Sequence, residues 1–274
     1  MTTSTTSLTM ERISVAGGAI VRGVDFDDID DATFEYLHKT FLDHHVLCIR
    51  GSSITPEQQL EFGARWGAVY AHPYVPSIDG YPGIMLIYQV HAITETWHAD
   101  TTHSAAPPKI TMLVAQKIPE IGGDTAFANQ HMAYDALSDG LKATLENMRA
   151  VHYGTEMAKG AGLNSEQVTH AHRVFLTHPE TGRKAVFVND NYVKHFEGWT
   201  EAESRGLLEY LYENSGRIEF TFRHRWQVGD LVMWDNRTTM HRVRSFDDMT
   251  YPRDLRRTTL TCGVPAAGMA RAAA

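Results

Sequence analysis

The chain has few cysteines and no long hydrophobic run, and both shortages narrow the kind of protein it can be. Cys48 and Cys262 are the only cysteines among 274 residues, too few for a disulfide framework or a zinc–thiolate cluster. We therefore expect a cytoplasmic location, where thiols stay reduced. No stretch approaches the 18 apolar residues of a membrane-spanning helix. The polar start MTTSTTSLTM lacks the apolar segment of a signal peptide.

Positive charge is also scarce. Lysine and arginine total 25 against 33 aspartates and glutamates, which gives a formal charge of −8. A nucleic-acid-binding domain usually concentrates basic residues on one face, so we predict neither nucleic acid nor membrane as a partner. Hydrophobic residues make up 43% of the chain, which supports a packed core and excludes disorder along its whole length.

The chain lacks internal repeats and linkers rich in proline, glycine or serine. Its length is high for one domain, but mainly-β domains often reach this size. We predict a single domain over 1–274, with flexible tails at 1–10 and 265–274. Residues 154–172 show little apolar periodicity, which predicts a long functional or mobile loop.

Short strand-like runs outnumber helical patterns. Thr55 with Gln58, and Thr200 with Glu203, have the spacing of helix capping boxes, and Ser138 is another candidate N-cap. Six runs rich in β-branched and aromatic residues predict strands: HVLCIRG, GIMLIYQV, KITMLVAQ, KAVFVND, RIEFTFRHRW and DLVMWDN. They do not alternate with helices as βαβ units do. The predicted fold class is therefore mainly β (α+β), a sandwich or jelly roll with surrounding helices.

The segment WHADTTH (97–103) carries a candidate metal site. On an extended chain, His98 and Asp100 point to the same side, where an imidazole and a carboxylate can share a cation. A polar turn at a strand end would show the same residues. Because two ligands hold a metal weakly, a third must come from elsewhere. The segment DLVMWDNRTTMHRV (230–243) offers His241 after an apolar strand and a tight turn.

Two arginines, Arg253 and Arg257, follow in RDLRRTTL. Guanidinium groups bind carboxylates through two parallel hydrogen bonds, so the pair indicates anion recognition beside a metal. Surface ion pairs with Asp247, Asp248 and Asp254 are the alternative.

The order and spacing of four motifs resemble one family. WHADTTH, GGDTAFAN (122–129), WDNRTTMHRV and RDLRRTT are similar to the taurine dioxygenase/TfdA-type family of Fe(II)- and 2-oxoglutarate-dependent dioxygenases. THPETGRKAVFVN (177–189) is closer to the branch that attacks aryloxyalkanoate herbicides. The resemblance implies a double-stranded β-helix (jelly roll) forming one catalytic domain, with 154–172 as a mobile active-site loop.

The resemblance also implies the catalytic and cofactor residues. His98, Asp100 and His241 match the facial triad that binds Fe(II) and leaves positions for 2-oxoglutarate and O2. Thr125 and Arg253 match the residues that bind the far carboxylate of 2-oxoglutarate. The implied activity is hydroxylation of a small anionic substrate, a carboxylate before a sulfonate, with 2-oxoglutarate converted to succinate and CO2. The carboxylate of Asp100 favours hydroxylation over the halogenation of relatives that lack it.

The implied substrate residues depart in part from the family pattern. Arg257 matches an arginine that binds the acidic group of the substrate, and His72 matches a histidine of the substrate pocket. His103 stands where the family usually has an aromatic residue. It is a pocket residue that contacts a polar group of the substrate, a fourth histidine near the iron, or a partly exposed histidine. Val75 replaces a tyrosine that contacts taurine, which argues against taurine itself.

Two other functions stay open on the sequence. One is a biosynthetic hydroxylase or desaturase of an amino-acid-like substrate on the same scaffold. The other is a non-catalytic, cupin-like metal-binding protein, although a mere binder needs no Arg253. The family also leads us to expect a homo-oligomer, either a dimer or a tetramer.

Overall fold

The structure is a computed structural model that describes residues 7–51, 53–70, 76–89, 95–155, 159, 162, 168–243 and 253–262. His72, Val75, most of the expected loop at 154–172 and the expected tail at 265–274 lie outside these residues. The strands are β1 (Thr9–Ser14), β2 (Gly17–Arg22), β3 (Val46–Ile49), β4 (Ala68–Tyr70), β5 (Ile84–Gln89), β6 (Ile110–Lys117), β7 (Thr125–Asn129), β8 (Arg149–Tyr153), β9 (Thr169–Arg173), β10 (Phe175–Thr177), β11 (Lys184–Val186), β12 (Val193–Phe196), β13 (Thr221–His224), β14 (Leu231–Asp235), β15 (Thr239–Val243) and β16 (Arg253–Thr261). The helices are α1 (Asp31–His44), α2 (Pro56–Trp66), α3 (Gln130–Asp135), α4 (Asp139–Leu145) and α5 (Glu201–Ser215).

The helices begin where their sequences place a capping residue. In α2, the Thr55 hydroxyl accepts from the backbone N–H of Gln58, and the Gln58 side chain accepts from the N–H of Thr55. Thr200 and Glu203 form the same box before α5, and Ser138 caps α4. These contacts satisfy N–H groups that a helix start leaves unpaired, and they confirm the predicted helix starts.

Two sheets and a layer of helices form the body of the chain. The larger sheet has the order β1-β2-β3-β14-β6-β16-β4, with β5 also paired to β16, and the smaller sheet has the order β13-β7-β15. Alternation along β3 fixes the layers. Leu47 and Ile49 pack in the cluster that contains Phe41 of α1. Val46 and Cys48 pack in the cluster that contains Phe127 of the smaller sheet.

A third hydrophobic cluster lies outside the two main sheets. It joins α5, through Leu208 and Leu211, to Phe196 of β12 and Val186 of β11. The apolar face of α5 therefore packs on short strands outside the two main sheets. No helix among the described residues is long and apolar enough to cross a membrane.

In three segments the secondary structure differs from the one that the sequence predicted. The run RIEFTFRHRW begins as a 3-10 turn at Ile218–Phe220 before β13. β1 begins at Thr9, inside the expected N-terminal tail, because its backbone pairs with β2. Residues 169–172 of the expected loop belong to β9, which pairs with β8. β1 and β9 are held by backbone pairing with another strand and not by an apolar pattern of their own. Local periodicity therefore did not reveal them.

Candidate active site

The two histidines of the candidate triad are joined through their backbones. The N–H of His98 donates to the carbonyl of His241 at 3.1 Å, and the reverse bond is 2.7 Å long. Their ring centroids lie 4.2 Å apart. Thr101 then takes a left-handed conformation, with φ of 43°, and the chain turns away. WHADTTH is thus a polar turn that also supplies two of the three residues of the ligand cluster.

Asp100 completes the cluster. Its Oδ1 lies 3.7 Å from Nε2 of His241, and His98, Asp100 and His241 are buried with one ligand atom of each within 4.8 Å of the others. Nδ1 of His98 donates to the carbonyl of Thr96 at 3.0 Å, which leaves Nε2 as its ligand atom. Two imidazoles and one carboxylate match the donor set of non-haem Fe(II), so the residues present fit this metal.

Electrostatics keep the three side chains in their metal-binding forms. Burial lowers the pKa of His98, and it lowers the pKa of His241 to about 3. Burial alone would raise the pKa of Asp100, but the charge of Arg257 and the two histidines outweigh it, and the pKa falls. At neutral pH the site therefore holds two neutral imidazoles and an anion, as metal ligation requires.

Arg257 lies beside the triad. Its Nη2 is 3.0 Å from Oδ2 of Asp100, and its Nε donates to the hydroxyl of Thr259 at 3.1 Å. The expected alternative for this arginine, a surface ion pair with a neighbouring aspartate, does not match this placement.

Arg253 occupies a drier position on the same face of β16, since alternate residues of a strand point the same way. It is 1% exposed, and burial lowers its pKa to about 10. Its Nη2 donates to the Thr125 hydroxyl at 3.3 Å, and its Nε donates to the carbonyl of Gly123 at 3.1 Å. The indole N–H of Trp226 also donates to Thr125, at 3.0 Å.

The GGDTAFAN motif supplies the backbone for this arrangement. Gly123 has a φ of +68°, and a Cβ there would lie 2.9 Å from Pro119 and 3.3 Å from Cδ of Arg253. Only glycine adopts this conformation readily. The motif therefore brings a carbonyl and the Thr125 hydroxyl to Arg253.

These residues surround one cavity of about 90 Å³. The lining comprises six of the sequence-predicted site residues together with apolar and aromatic side chains: His98, Asp100, Thr125, His241, Arg253, Arg257, Ile87, Leu113, Trp234 and Val243. His103 is buried but lies outside this lining, with its ring 5.3 Å from that of Tyr192. His72 lies outside the described residues.

Three residues near the triad were missed by sequence reasoning. Thr111 and Asn236 hydrogen-bond around Asp100. The pKa of Tyr192 is raised to about 12 by burial and by the charge of Asp100. Thr111 looks like an ordinary strand residue in KITMLVAQ, and nothing in the sequence marks it. Asn236 could have been noticed, because it is a polar residue in the turn between an apolar strand and the candidate ligand His241.

A second group of potential ligands has a different role. Cys48, His224 and Asp230 also bring ligand atoms within 4.8 Å. Arg50, however, donates to both carboxylate oxygens of Asp230, at 2.7 and 2.6 Å. Burial raises the pKa of Cys48 far above its ordinary value. A guanidinium thus neutralises this cluster, and we assign it no metal.

The comparisons with known proteins agree with this geometry. Residues 10–259 match the family described as "Taurine catabolism dioxygenase TauD, TfdA family". The chain belongs to this family. The chain is 34% identical to an alkylsulfatase of Acinetobacter baylyi, over 93% of this chain and 86% of that protein. It is also 34% identical to the alpha-ketoglutarate-dependent 2,4-dichlorophenoxyacetate dioxygenase of Cupriavidus pinatubonensis, over 78% and 83% of the two chains.

The structural similarity to a solved crystal structure supports the same family. A taurine dioxygenase from Burkholderia xenovorans superposes with a TM-score of 0.83 at 32% identity, covering 97% of this chain and 94% of that one. As a member of the TauD/TfdA family, the protein is an Fe(II)- and 2-oxoglutarate-dependent dioxygenase that uses O2 to hydroxylate a small anionic substrate. The predicted enzyme class and cofactors are confirmed, and the non-catalytic alternative was wrong.

Proposed function

We propose that the enzyme hydroxylates an alkyl sulfate ester at the carbon that bears the ester oxygen. The observation that supports this most is that the buried His98–Asp100–His241 cluster and two arginines of one strand face line the same cavity. Two cations beside a metal suit two anions, the cosubstrate and the substrate.

The two arginines would divide this work. Arg253 and Thr125 would bind the far carboxylate of 2-oxoglutarate, because both are buried and the guanidinium contacts the hydroxyl. Arg257 would bind the anionic head of the substrate, since its guanidinium is more exposed and lies beside Asp100. Four residues along a strand place the Cα atoms of the two arginines roughly 13 Å apart, so each guanidinium can bind a different anion.

The cofactors and the protein contribute different parts of the reaction. Bound iron and 2-oxoglutarate supply the oxidant for an unactivated C–H bond, while O2 is consumed and succinate and CO2 form. Arg257 would fix the head group, so that the adjacent carbon faces the metal. Leu113 and Val243 would keep water from the reacting carbon. The hydroxylated ester, R–CH(OH)–O–SO3⁻, then collapses to an aldehyde and hydrogen sulfate.

The choice of head group comes from the relatives. The alkylsulfatase matches 93% of this chain, whereas the 2,4-dichlorophenoxyacetate enzyme matches 78% at the same identity. An aryloxyalkanoate is the second candidate, supported by that relative and by the segment THPETGRKAVFVN. Hydroxylation of an aryloxyacetate at the carbon that bears the ether oxygen would release a phenol and glyoxylate.

A substrate panel separates these candidates. Purified enzyme receives Fe(II), 2-oxoglutarate and O2 with hexyl sulfate, an aryloxyacetate or taurine, and succinate is measured against sulfate, phenol or sulfite. We expect equal amounts of succinate and sulfate from hexyl sulfate. Equal amounts of succinate and phenol, with no sulfate release, would transfer the assignment to aryloxyalkanoates. Asp100→Ala serves as the control and should form no product from any of them.

The wider context of the site is also part of this proposal. The facing sheets and the family support a double-stranded β-helix that forms one catalytic domain, with the part of 154–172 that precedes β9 as its active-site loop. His72 and His103 would contact the substrate. We further propose a cytoplasmic homo-oligomer, a dimer or tetramer, that binds neither nucleic acid nor membrane, in keeping with its charge of −8.

A further inference from the structure

We infer that Thr111 is a positioning residue of the metal centre, whose hydroxyl holds the Asp100 carboxylate so that only Oδ1 faces the metal. Asn236 would orient that hydroxyl. The inference rests on the proposed assignment of Asp100 as an iron ligand, and it adds roles for Thr111 and Asn236 that the resemblance does not imply.

The indole of Trp234 fixes the donor and the acceptor in each hydrogen bond that links Asn236, Thr111 and Asp100. The indole N–H of Trp234 can only donate, and it lies 3.1 Å from Oδ1 of Asn236. That amide oxygen also accepts from the backbone N–H of Asp100, at 3.2 Å. The NH2 group of Asn236 therefore faces Thr111, and it donates to the Thr111 hydroxyl at 3.0 Å.

The Thr111 hydroxyl must therefore donate its proton to Asp100. Because it accepts from Asn236, it donates to Oδ2 of Asp100, at 2.6 Å. Arg257 contacts the same oxygen at 3.0 Å. Oδ2 is thus engaged by two donors, while Oδ1 faces Nε2 of His241.

The strand register builds this arrangement into the larger sheet. Thr111 of β6 lies directly opposite Trp234 of β14, and Asn236 follows β14 by one residue. Thr111 is 0% exposed and Asn236 is 2% exposed, so bulk water does not replace a lost contact. Burial without such contacts would be costly for these polar groups.

Asp100 should bind the metal through one oxygen only, because the metal must also accept 2-oxoglutarate and O2. Three protein ligands on an octahedral metal leave three positions, two for 2-oxoglutarate and one for O2. A carboxylate free to rotate could chelate the metal through both oxygens and occupy one of these positions. Fixing Oδ2 prevents this, so Thr111 supports both iron affinity and access of O2.

Metal binding, measured without any substrate, tests the inference. Thr111→Val keeps the shape of the side chain and removes its hydroxyl, whereas Thr111→Ser keeps the hydroxyl. Dissociation constants for Fe(II) are measured anaerobically, followed by the visible charge-transfer band after 2-oxoglutarate is added. We expect Thr111→Val to bind Fe(II) roughly 10–100-fold more weakly, as is usual for residues behind metal ligands, and to shift the band. Thr111→Ser should stay within about threefold of the wild type, on the same scale of effects.

Thr258→Val is the matched control. Thr258 is also 0% exposed, but its hydroxyl accepts from Gln59 instead of contacting the triad, so its loss should leave Fe(II) affinity unchanged. If Thr111→Val does not fold, Thr111→Ser and Thr111→Ala give the same comparison, since they differ by the hydroxyl alone.

The outcomes distinguish the inference from the proposed function. Wild-type Fe(II) affinity and an unshifted band in the variants without the hydroxyl would overturn the role of Thr111. Equal weakening in Thr258→Val would also overturn it, because the effect would then be general. A wild-type protein that fails to bind Fe(II) would instead overturn the proposed ligand assignment.

Discussion

At the scale of single residues, the two arginines of β16 have different surroundings, and the proposed division of roles between them rests on this difference. Arg253 is buried against Thr125, whereas Arg257 pairs with Asp100. Loss of one partner from a buried charge pair costs about 2–5 kcal/mol. We therefore expect Arg253→Ala to raise the KM for 2-oxoglutarate by roughly 30-fold or more, with a much smaller effect on the KM for the primary substrate. Arg257→Ala should do the reverse. Steady-state kinetics with each substrate varied in turn measure both.

Arg256 provides a control on the same strand. It points to the opposite face, where its guanidinium donates to the carbonyl of Ile54. Arg256→Gln should therefore leave both KM values near those of the wild type. Equal effects of Arg253→Ala and Arg257→Ala on the two KM values would show that the proposed division between them is wrong.

At the scale of elements, the end of β8 fixes the position of His103. A Cβ on Gly154 would lie 2.7 Å from Cδ2 of His103 and 2.7 Å from Cγ1 of Val168, closer than packed atoms approach. If His103 contacts the substrate, Gly154→Ala should displace it and raise the KM for the substrate severalfold, while the KM for 2-oxoglutarate stays unchanged. Unchanged kinetics would argue against a substrate role for His103.

The same substitution in α5 serves as the comparison. A Cβ on Gly206 meets no atom within 4 Å, and alanine favours a helix over glycine. Gly206→Ala should therefore raise the free energy of unfolding by about 0.5–1 kcal/mol and leave the kinetics unchanged. Chemical denaturation of both variants measures this difference.

Elements also show which features a sequence can predict. The start of α2 was predictable because Thr55 and Gln58 are three residues apart, so their contact is local. His98 and Asp100 were visible for the same reason. The bond from Thr111 to Asp100 was not, because it depends on the register between β6 and β14. β9 was missed likewise, since its backbone partner β8 lies in a separate run of the chain.

At the scale of the whole molecule, burial of histidine links stability to pH. Among the histidines that the structure describes, eight have a pKa below the ordinary value, with burial as the largest cause: His44, His45, His98, His131, His152, His172, His224 and His241. The unfolded chain binds protons at these residues near pH 6.5, whereas the folded protein does not. The free energy of unfolding must therefore fall as the pH falls below about 6.5.

His45 allows this dependence to be tested at one position. Burial lowers its pKa to about 3, so at pH 5 it should lower the free energy of unfolding by about 2 kcal/mol. Its φ of 65° is a conformation that asparagine tolerates, which makes His45→Asn a suitable variant. We expect metal-free His45→Asn to lose about 2 kcal/mol less stability than the wild type between pH 7 and pH 5. Urea denaturation at both values measures the change, and the pH 7 difference accounts for altered packing. Parallel pH profiles of the two proteins would show that His45 is already protonated in the folded state, and the acid sensitivity would then arise from the other buried histidines.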